Sequence, residues 1–179
     1  MKYLEEVQRS TLFLAKNPQV IFVGQSVSYP GNAIYTGSLK DVPLEHKVEM
    51  PVFEETQMGI SIGLALEGFV PVSVFPRFNF LVVALNQLVN HLDKIPHISQ
   101  GKLRPKVIIK TMVGSVRPLD PGVQHKSNFT EGFRSLLSNV VVEDLTESEM
   151  VFPAYKKALE REDGKSTLLV EYGDYYVEK

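Results

Sequence analysis

The chain has 179 residues, 44% hydrophobic and 22% charged, the balance of an ordinary globular chain long enough to bury a substantial core. Nineteen basic residues against twenty-one acidic ones leave a formal charge of −2, which argues against a nucleic-acid or anionic-membrane partner held by bulk electrostatics. Cysteine is absent, so disulfides, thiolate metal sites and a cysteine nucleophile are excluded. The N-terminus lacks a charged-then-apolar leader pattern, and no apolar run approaches the length of a membrane span, so a cytoplasmic protein is expected.

In chain order, residues 2–16 set Leu4, Val7, Leu12, Leu14 and Ala15 among charges, a helical pattern ended by Asn17-Pro18. Gln19–Gly24 is a short β-branched run closed by glycine, the pattern of a buried strand. Residues 28–46 form a turn-rich stretch without periodicity. A helix is predicted over 55–67, a strand over Val70–Phe75 and a long helix over 78–93. Lys106–Lys110 reads as a strand, followed by a glycine- and proline-bearing loop to about residue 126. Val140–Glu143 and Ser166–Glu171 are two further strands. Between them, Thr146 with Glu149 three residues on predicts a capping box opening a helix. Strands alternating with helices, most strands apolar throughout, predict a three-layer α/β/α fold: a mostly parallel sheet with helices on both faces. A single domain over 1–179 is expected, with an N-terminal helix within 1–18. Such sheets bind ligands beyond the carboxyl ends of their strands, here the loops at 24–46, 76–80 and 111–127.

Local chemistry motifs are sparse. There is no glycine-rich phosphate loop, no metal-ligand spacing and no serine elbow. Of four histidines, His46 lies in a charged loop, His91 within a helical run at its boundary, and His97 at a helix exit; His125 stands apart in a polar loop after a strand, where functional residues concentrate. Glu54 and Glu55 precede a glycine-spaced apolar run. Acids in a first helical turn favour the positive end of the helix dipole by about 0.3–1 kcal/mol each, and on that ground the two are equivalent. Gly59, Gly63 and Ala65 would let another helix approach closely, including one across a subunit boundary.

The order of several motifs resembles a known family. Pro51-Val-Phe-Glu54, the spacing Gly59-Ile-Ser-Ile-Gly63, and Gly68-Phe-Val-Pro71 are similar to the pyrimidine-binding domain of transketolase-type thiamine-diphosphate enzymes, above all the beta subunit of 2-oxo-acid (pyruvate) dehydrogenases. Phe75-Pro-Arg-Phe78-Asn-Phe80, continuing to Ala84-Leu-Asn-Gln87-Leu-Val-Asn90, resembles the family's Phe-x-x-Phe-x-Phe and Asp-Gln-x-x-Asn helix, and Gly122-Val-Gln-His125 resembles its Gly-Pro-Gln-His loop. The resemblance spans about residues 19–172. It implies the thiamine-diphosphate-binding fold of the pyrimidine-domain type, with Glu54 rather than Glu55 as the acid that activates the cofactor's aminopyrimidine. Phe80 would stack on that ring, Pro76 would lie beside it, and His125 would contact substrate oxygens and assist proton transfer.

Departures from the family pattern are also present: Glu49-Met50 precedes Pro51, Gly24-Gln25-Ser26 lacks the family's acids, Asn86 replaces an aspartate, and Ile98-Ser-Gln-Gly101 replaces a Met-Ser-Gly-Gly-like loop. The diphosphate and Mg²⁺ motif, Gly-Asp-Gly with a downstream asparagine, has no match, and the chain stops where the beta subunit would continue into a C-terminal domain. The resemblance therefore implies half of a site, with the cofactor and Mg²⁺ completed by an alpha-like partner subunit. It further implies a heterotetramer with self-association through the Gly59/Gly63 helix. The expected activity is cleavage or formation of a carbon–carbon bond next to a carbonyl, on a 2-oxo acid or by ketol transfer. The alternatives are a non-catalytic assembly or regulatory subunit that keeps the fold, or a hydrolase or transferase similar only in architecture.

Overall fold

The computed structural model describes residues 1–29, 36–117 and 120–178. Its helices and strands are α1 (Tyr3–Ala15), β1 (Val20–Gly24), α2 (Thr36–Leu39), β2 (Lys47–Glu49), α3 (Glu54–Leu66), β3 (Val70–Val74), α4 (Phe78–Val83), α5 (Ile95–Ile98), β4 (Ile108–Val113), α6 (Thr130–Leu136), β5 (Val140–Asp144), α7 (Ser148–Glu160), β6 (Ser166–Tyr172) and α8 (Tyr175–Glu178). Six strands pair in the order β2-β1-β3-β4-β6-β5, every pair parallel. Strands covered on both faces need no polar alternation, which is why they read as near-continuous apolar runs.

Side chains alternate between two cores. Phe22, Val72, Ile108 and Leu169 pack with Tyr3, Val7, Leu14, Val151 and Tyr155, so α1 and α7 cover one face. Ile109, Leu168 and Val170 pack with Met58, Phe78, Leu88 and Phe133, so α3, α4 and α6 cover the other. Each fully buried side chain of this size contributes about 1.5–3 kcal/mol. The predicted three-layer parallel architecture is present. Pro71 fits inside β3 because pairing with β4 begins only at Val72, so its missing N–H removes no ladder bond.

Several boundaries differ from the sequence reading. The capping box expected at Thr146 and Glu149 does not form. The backbone stays extended through Glu147 (φ −132°, ψ 149°), because the Leu145 N–H still donates to Val170 O (2.9 Å) beside β6. The helix therefore starts at Ser148, and Thr146 Oγ1 donates to Met150 Sδ (3.7 Å). The helix expected over 78–93 is interrupted at Ala84 and widens into π turns over Gln87–Leu92. It ends on Asp93, fully buried, whose carboxylate accepts the N–H groups of Ser138 (2.7 Å) and Asn139 (2.6 Å) ahead of β5. Strand β2 and helices α2 and α6 were not anticipated. Part of the turn-rich stretch, residues 30–35, lies outside the described residues.

One buried polar knot crosses the sheet. Lys110 on β4 pairs with Glu171 on β6 (2.6 Å), and the hydroxyls of Tyr155 and Tyr176 also donate to that carboxylate. Burial, followed by the charge of Glu171, pushes both tyrosine hydroxyls well above their ordinary range.

Candidate active site at the carboxyl edge of the sheet

Because all strands run parallel, their carboxyl ends share one edge. From β1 the chain moves outward to β2 and then returns to the other side of β1 as β3, so the connections leaving β1 and β3 diverge and open a crevice between them. The route to Glu54 is set by short-range constraints. The Met50 N–H extends the β1–β2 ladder to Gly24 O (2.9 Å), Pro51 can add no donor, and the Phe53 N–H closes a tight turn on Pro51 O (2.8 Å). Helix α3 begins at Glu54 itself, one residue earlier than expected. One turn on, buried Gln57 directs Nε2 at Val74 O (3.0 Å), Ser73 Oγ (3.1 Å) and Val23 O (3.3 Å). This clamp fixes the first turn of α3 over the ends of β1 and β3.

The adjacent carboxylates are inequivalent in this setting. Exposed Glu55 accepts hydrogen bonds from Asn86 (3.0 Å) and Gln87 (3.3 Å) on the following helical segment, and those donors, Asn86 first, hold its carboxyl below the usual range. Asparagine at 86 makes this tie possible, since an aspartate there would set two carboxylates against each other. Glu54 is half-buried, and its carboxylate has no hydrogen bond or ion pair among the described residues. A third acid, Glu49, takes the Ser26 N–H (2.5 Å) and Ser28 N–H (2.8 Å), holding the loop after β1 where Ser26 is left-handed (φ 62°). Thus β2 supplies a carboxylate to a loop that carries none of its own.

After β3, buried Pro76 leads into α4, whose first turn presents half-buried Phe80. After β4, a 3-10 turn over Val123–His125 brings the His125 imidazole to the Phe80 ring, with centroids 5.3 Å apart and planes at 58°. His125 Nδ1 is buried without a partner among the described residues. The loop is stapled on both sides. Asp120 accepts from the Gly122 N–H (2.9 Å) and pairs with Lys126 (2.9 Å), while Asn128 Nδ2 donates to the Tyr172 hydroxyl (3.1 Å), which donates to Asp144 (2.8 Å). Burial, with help from Asp144, pushes the Tyr172 hydroxyl up to about 12. No hydrogen bond links Glu54 to Phe80 or His125; the three share the sheet edge, and only the latter two meet. The remaining histidines lie elsewhere: His46 contacts Val20 O (2.7 Å), His91 contacts Gln87 Oε1 (2.7 Å), and His97 is exposed.

Two buried residues here were not singled out from the sequence. Gln57 is one. Arg77 is the other, 6% exposed, with Nη1 unpartnered among the described residues and 3.0 Å from where a Cβ on Gly114 would sit. The same position is 2.1 Å from the His125 carbonyl oxygen, so only glycine lets these segments approach. A lone cation within the apolar run Phe75–Phe80 was the available signal.

On the outer side of α3, among the described residues and apart from the helix's own backbone and the flanking residues, nothing lies within 4 Å of a Cβ placed on Gly63, and one placed on Gly59 meets Gln87 Oε1 at 4.0 Å. Val52, Phe53, Ile60, Leu66, Val82 and Val83 are exposed nearby. Among the described residues, no group of three or more histidines and acids is placed to hold a metal ion, and no helix is long and apolar enough to cross a membrane.

A six-stranded parallel sheet in this order, with helices on both faces, is the α/β fold of the transketolases. A solved split-gene transketolase, described as an inactive beta4 tetramer, superposes on 97% of this chain and 52% of its own with a TM-score of 0.73 at 16% identity. No protein-family model matches the chain. In sequence, it is 26% identical over 125 residues to the mitochondrial pyruvate dehydrogenase E1 component subunit beta of Saccharomyces cerevisiae, covering 69% of this chain and 34% of that protein. It is 25% identical over 189 residues to the corresponding subunit of Dictyostelium discoideum, covering 93% and 52% respectively. In sequence the chain is similar to these beta subunits, and its fold is that of the transketolases. It spans about a third to a half of the length of the curated relatives it matches.

Proposed function

We propose that this chain is one subunit of a split thiamine-diphosphate-dependent enzyme that cleaves or forms a carbon–carbon bond next to a carbonyl, with the whole chain serving as one pyrimidine-binding domain. The observation that carries the reading is Glu54: a half-buried carboxylate, held at the crevice by the Gln57 clamp, without a partner among the described residues. An uncommitted acid at that point fits a heteroaromatic base. Glu54 hydrogen-bonds an aminopyrimidine ring nitrogen and exchanges a proton with it. Phe80 offers a half-exposed ring face for stacking beside Pro76, and His125, with Nδ1 unpaired, contacts substrate oxygens and relays protons. When bound, the cofactor supplies an electron sink for bond cleavage or formation beside a carbonyl.

The diphosphate and Mg²⁺ belong, in this reading, to an alpha-like subunit bearing the Gly-Asp-Gly motif that this chain lacks. Two copies of the chain associate through the exposed apolar surface around Gly59 and Gly63, giving a heterotetramer. The reading extends to a cytoplasmic location, although the relatives named above are mitochondrial proteins. A purely structural subunit would need neither a free Glu54 nor an unpaired His125, which favours the catalytic reading over the assembly one.

The test is co-expression with a chain carrying Gly-Asp-Gly and its downstream asparagine, followed by calorimetric titration with thiamine diphosphate and Mg²⁺. Saturable binding by the pair, and by neither chain alone, is expected. Binding by no combination would overturn the proposal.

A further inference from the structure

Arginine cannot shed its charge inside a protein, and its planar fork is matched to carboxylate and phosphate oxygens. A buried arginine is therefore paired, or kept for a counter-anion that arrives from outside. Arg77 has no acid within ion-pair distance and no partner for Nη1 among the described residues. Its Nη1 lies where Gly114 and the His125 main chain converge, three residues ahead of Phe80. The unpaired cation thus stands beside the main chain of His125, the residue whose imidazole meets Phe80, at the edge where ligands enter such sheets.

We propose that Arg77 is the anion-recognising residue of the substrate site, so that the substrate carries a carboxylate or phosphate group bound next to His125. The inference rests on the proposed function for its location, and on the unsatisfied guanidinium for its chemistry. Gly114 contributes by having no side chain: any Cβ would fill the space that Arg77 and the His125 backbone share. A fork of N–H donors gives such a group direction as well as charge.

The experiment uses the 179-residue chain without cofactor, as wild type, Arg77→Met and Arg77→Lys, in thermal-shift titrations at constant ionic strength. Pyruvate probes a 2-oxo carboxylate, ribose 5-phosphate a sugar phosphate and inorganic phosphate the bare oxyanion. Wild type is expected to be protected by one class. Affinity should fall at least tenfold in Arg77→Met, with Arg77→Lys between the two. Protection by pyruvate alone assigns a carboxylate, and protection by the phosphates assigns a phosphate. Ligand-free Arg77→Met should melt at or above wild type, because an unpaired buried charge is removed. Equal anion response in wild type and Arg77→Met would overturn the proposal, as would a ligand-free melt of both variants below wild type, which would show the guanidinium satisfied within the fold. Because no cofactor is present, loss of anion protection in Arg77→Met stands even if the co-expressed pair fails to bind thiamine diphosphate. Conversely, cofactor binding by the pair with no Arg77-dependent anion effect leaves the proposed function intact and removes this inference alone.

Discussion

Two buried polar regions of the molecule use the same kinds of group to opposite ends. Beneath α1, α7 and α8, Lys110 meets Glu171 at 2.6 Å, and the hydroxyls of Tyr155 and Tyr176 complete that carboxylate's hydrogen bonding. At the carboxyl edge, Arg77, Glu54 and His125 Nδ1 sit in or beside the core with no partner among the described residues. Desolvated charge is tolerated in the first region because each group compensates another. In the second the compensation is missing, though the surrounding backbone is firmly held by Gln57, Asp120 and Asn128. Rigid placement of unsatisfied groups is the arrangement a ligand completes.

Substitutions can break this contrast. The largest effect is expected from Glu54→Gln in the co-expressed pair: turnover should fall about 100- to 10,000-fold, with melting of the chain unchanged within about 2 °C. Next, Lys110→Met strands Glu171 in the core and should cost about 3–5 kcal/mol in denaturant unfolding. The double change Lys110→Met/Glu171→Leu should recover much of that loss. A single and a double variant of equal stability would show that the knot is not mutually satisfied. Gln57→Ala leaves the Val23 and Val74 carbonyls without their side-chain donor and should cost about 1–3 kcal/mol, together with weaker cofactor binding by the pair as the first turn of α3 loosens.

Glu55→Gln should have the smallest effect and sharpens the contrast by pH. The folded state lowers the Glu55 carboxyl below its ordinary value, so its contribution is present above the unfolded-state value and is lost as pH falls through the folded one. The stability difference between wild type and Glu55→Gln, followed by urea unfolding from neutral pH down through the carboxylate range, should shrink toward the acid end. A difference independent of pH would assign the Glu55 tie to shape rather than charge.

Much of the fold was legible because buried parallel strands carry apolar runs, as at Val20–Gly24 and at Leu168, Leu169 and Val170 in the centre of β6. Strand β2 was not, since Lys47–Glu49 is a three-residue, mostly polar edge strand with one neighbour. The π turns after Ala84 left no periodic mark, because Leu88 and Leu92 satisfy an ordinary helical spacing equally well. Within the site, His125 stood out by its polar loop after a strand, while Glu54, Pro76 and Phe80 were singled out only by the order of family motifs; helix physics left Glu54 and Glu55 alike. Their difference came from tertiary partners, Asn86 and Gln87 for Glu55 and none among the described residues for Glu54. The roles of Gln57, Glu49 and Arg77 were not legible because what they do depends on which carbonyls, amides and glycine the fold brings to them.

The central claim is that the two neighbouring glutamates have separate fates, one structural and one chemical. Turnover of Glu54→Gln and Glu55→Gln, each co-expressed with the diphosphate-binding partner and assayed at saturating thiamine diphosphate and Mg²⁺, tests it directly. Glu55→Gln should stay within about threefold of wild type, and Glu54→Gln should be lower by about 100-fold or more. Equal turnover of the two variants would contradict the account.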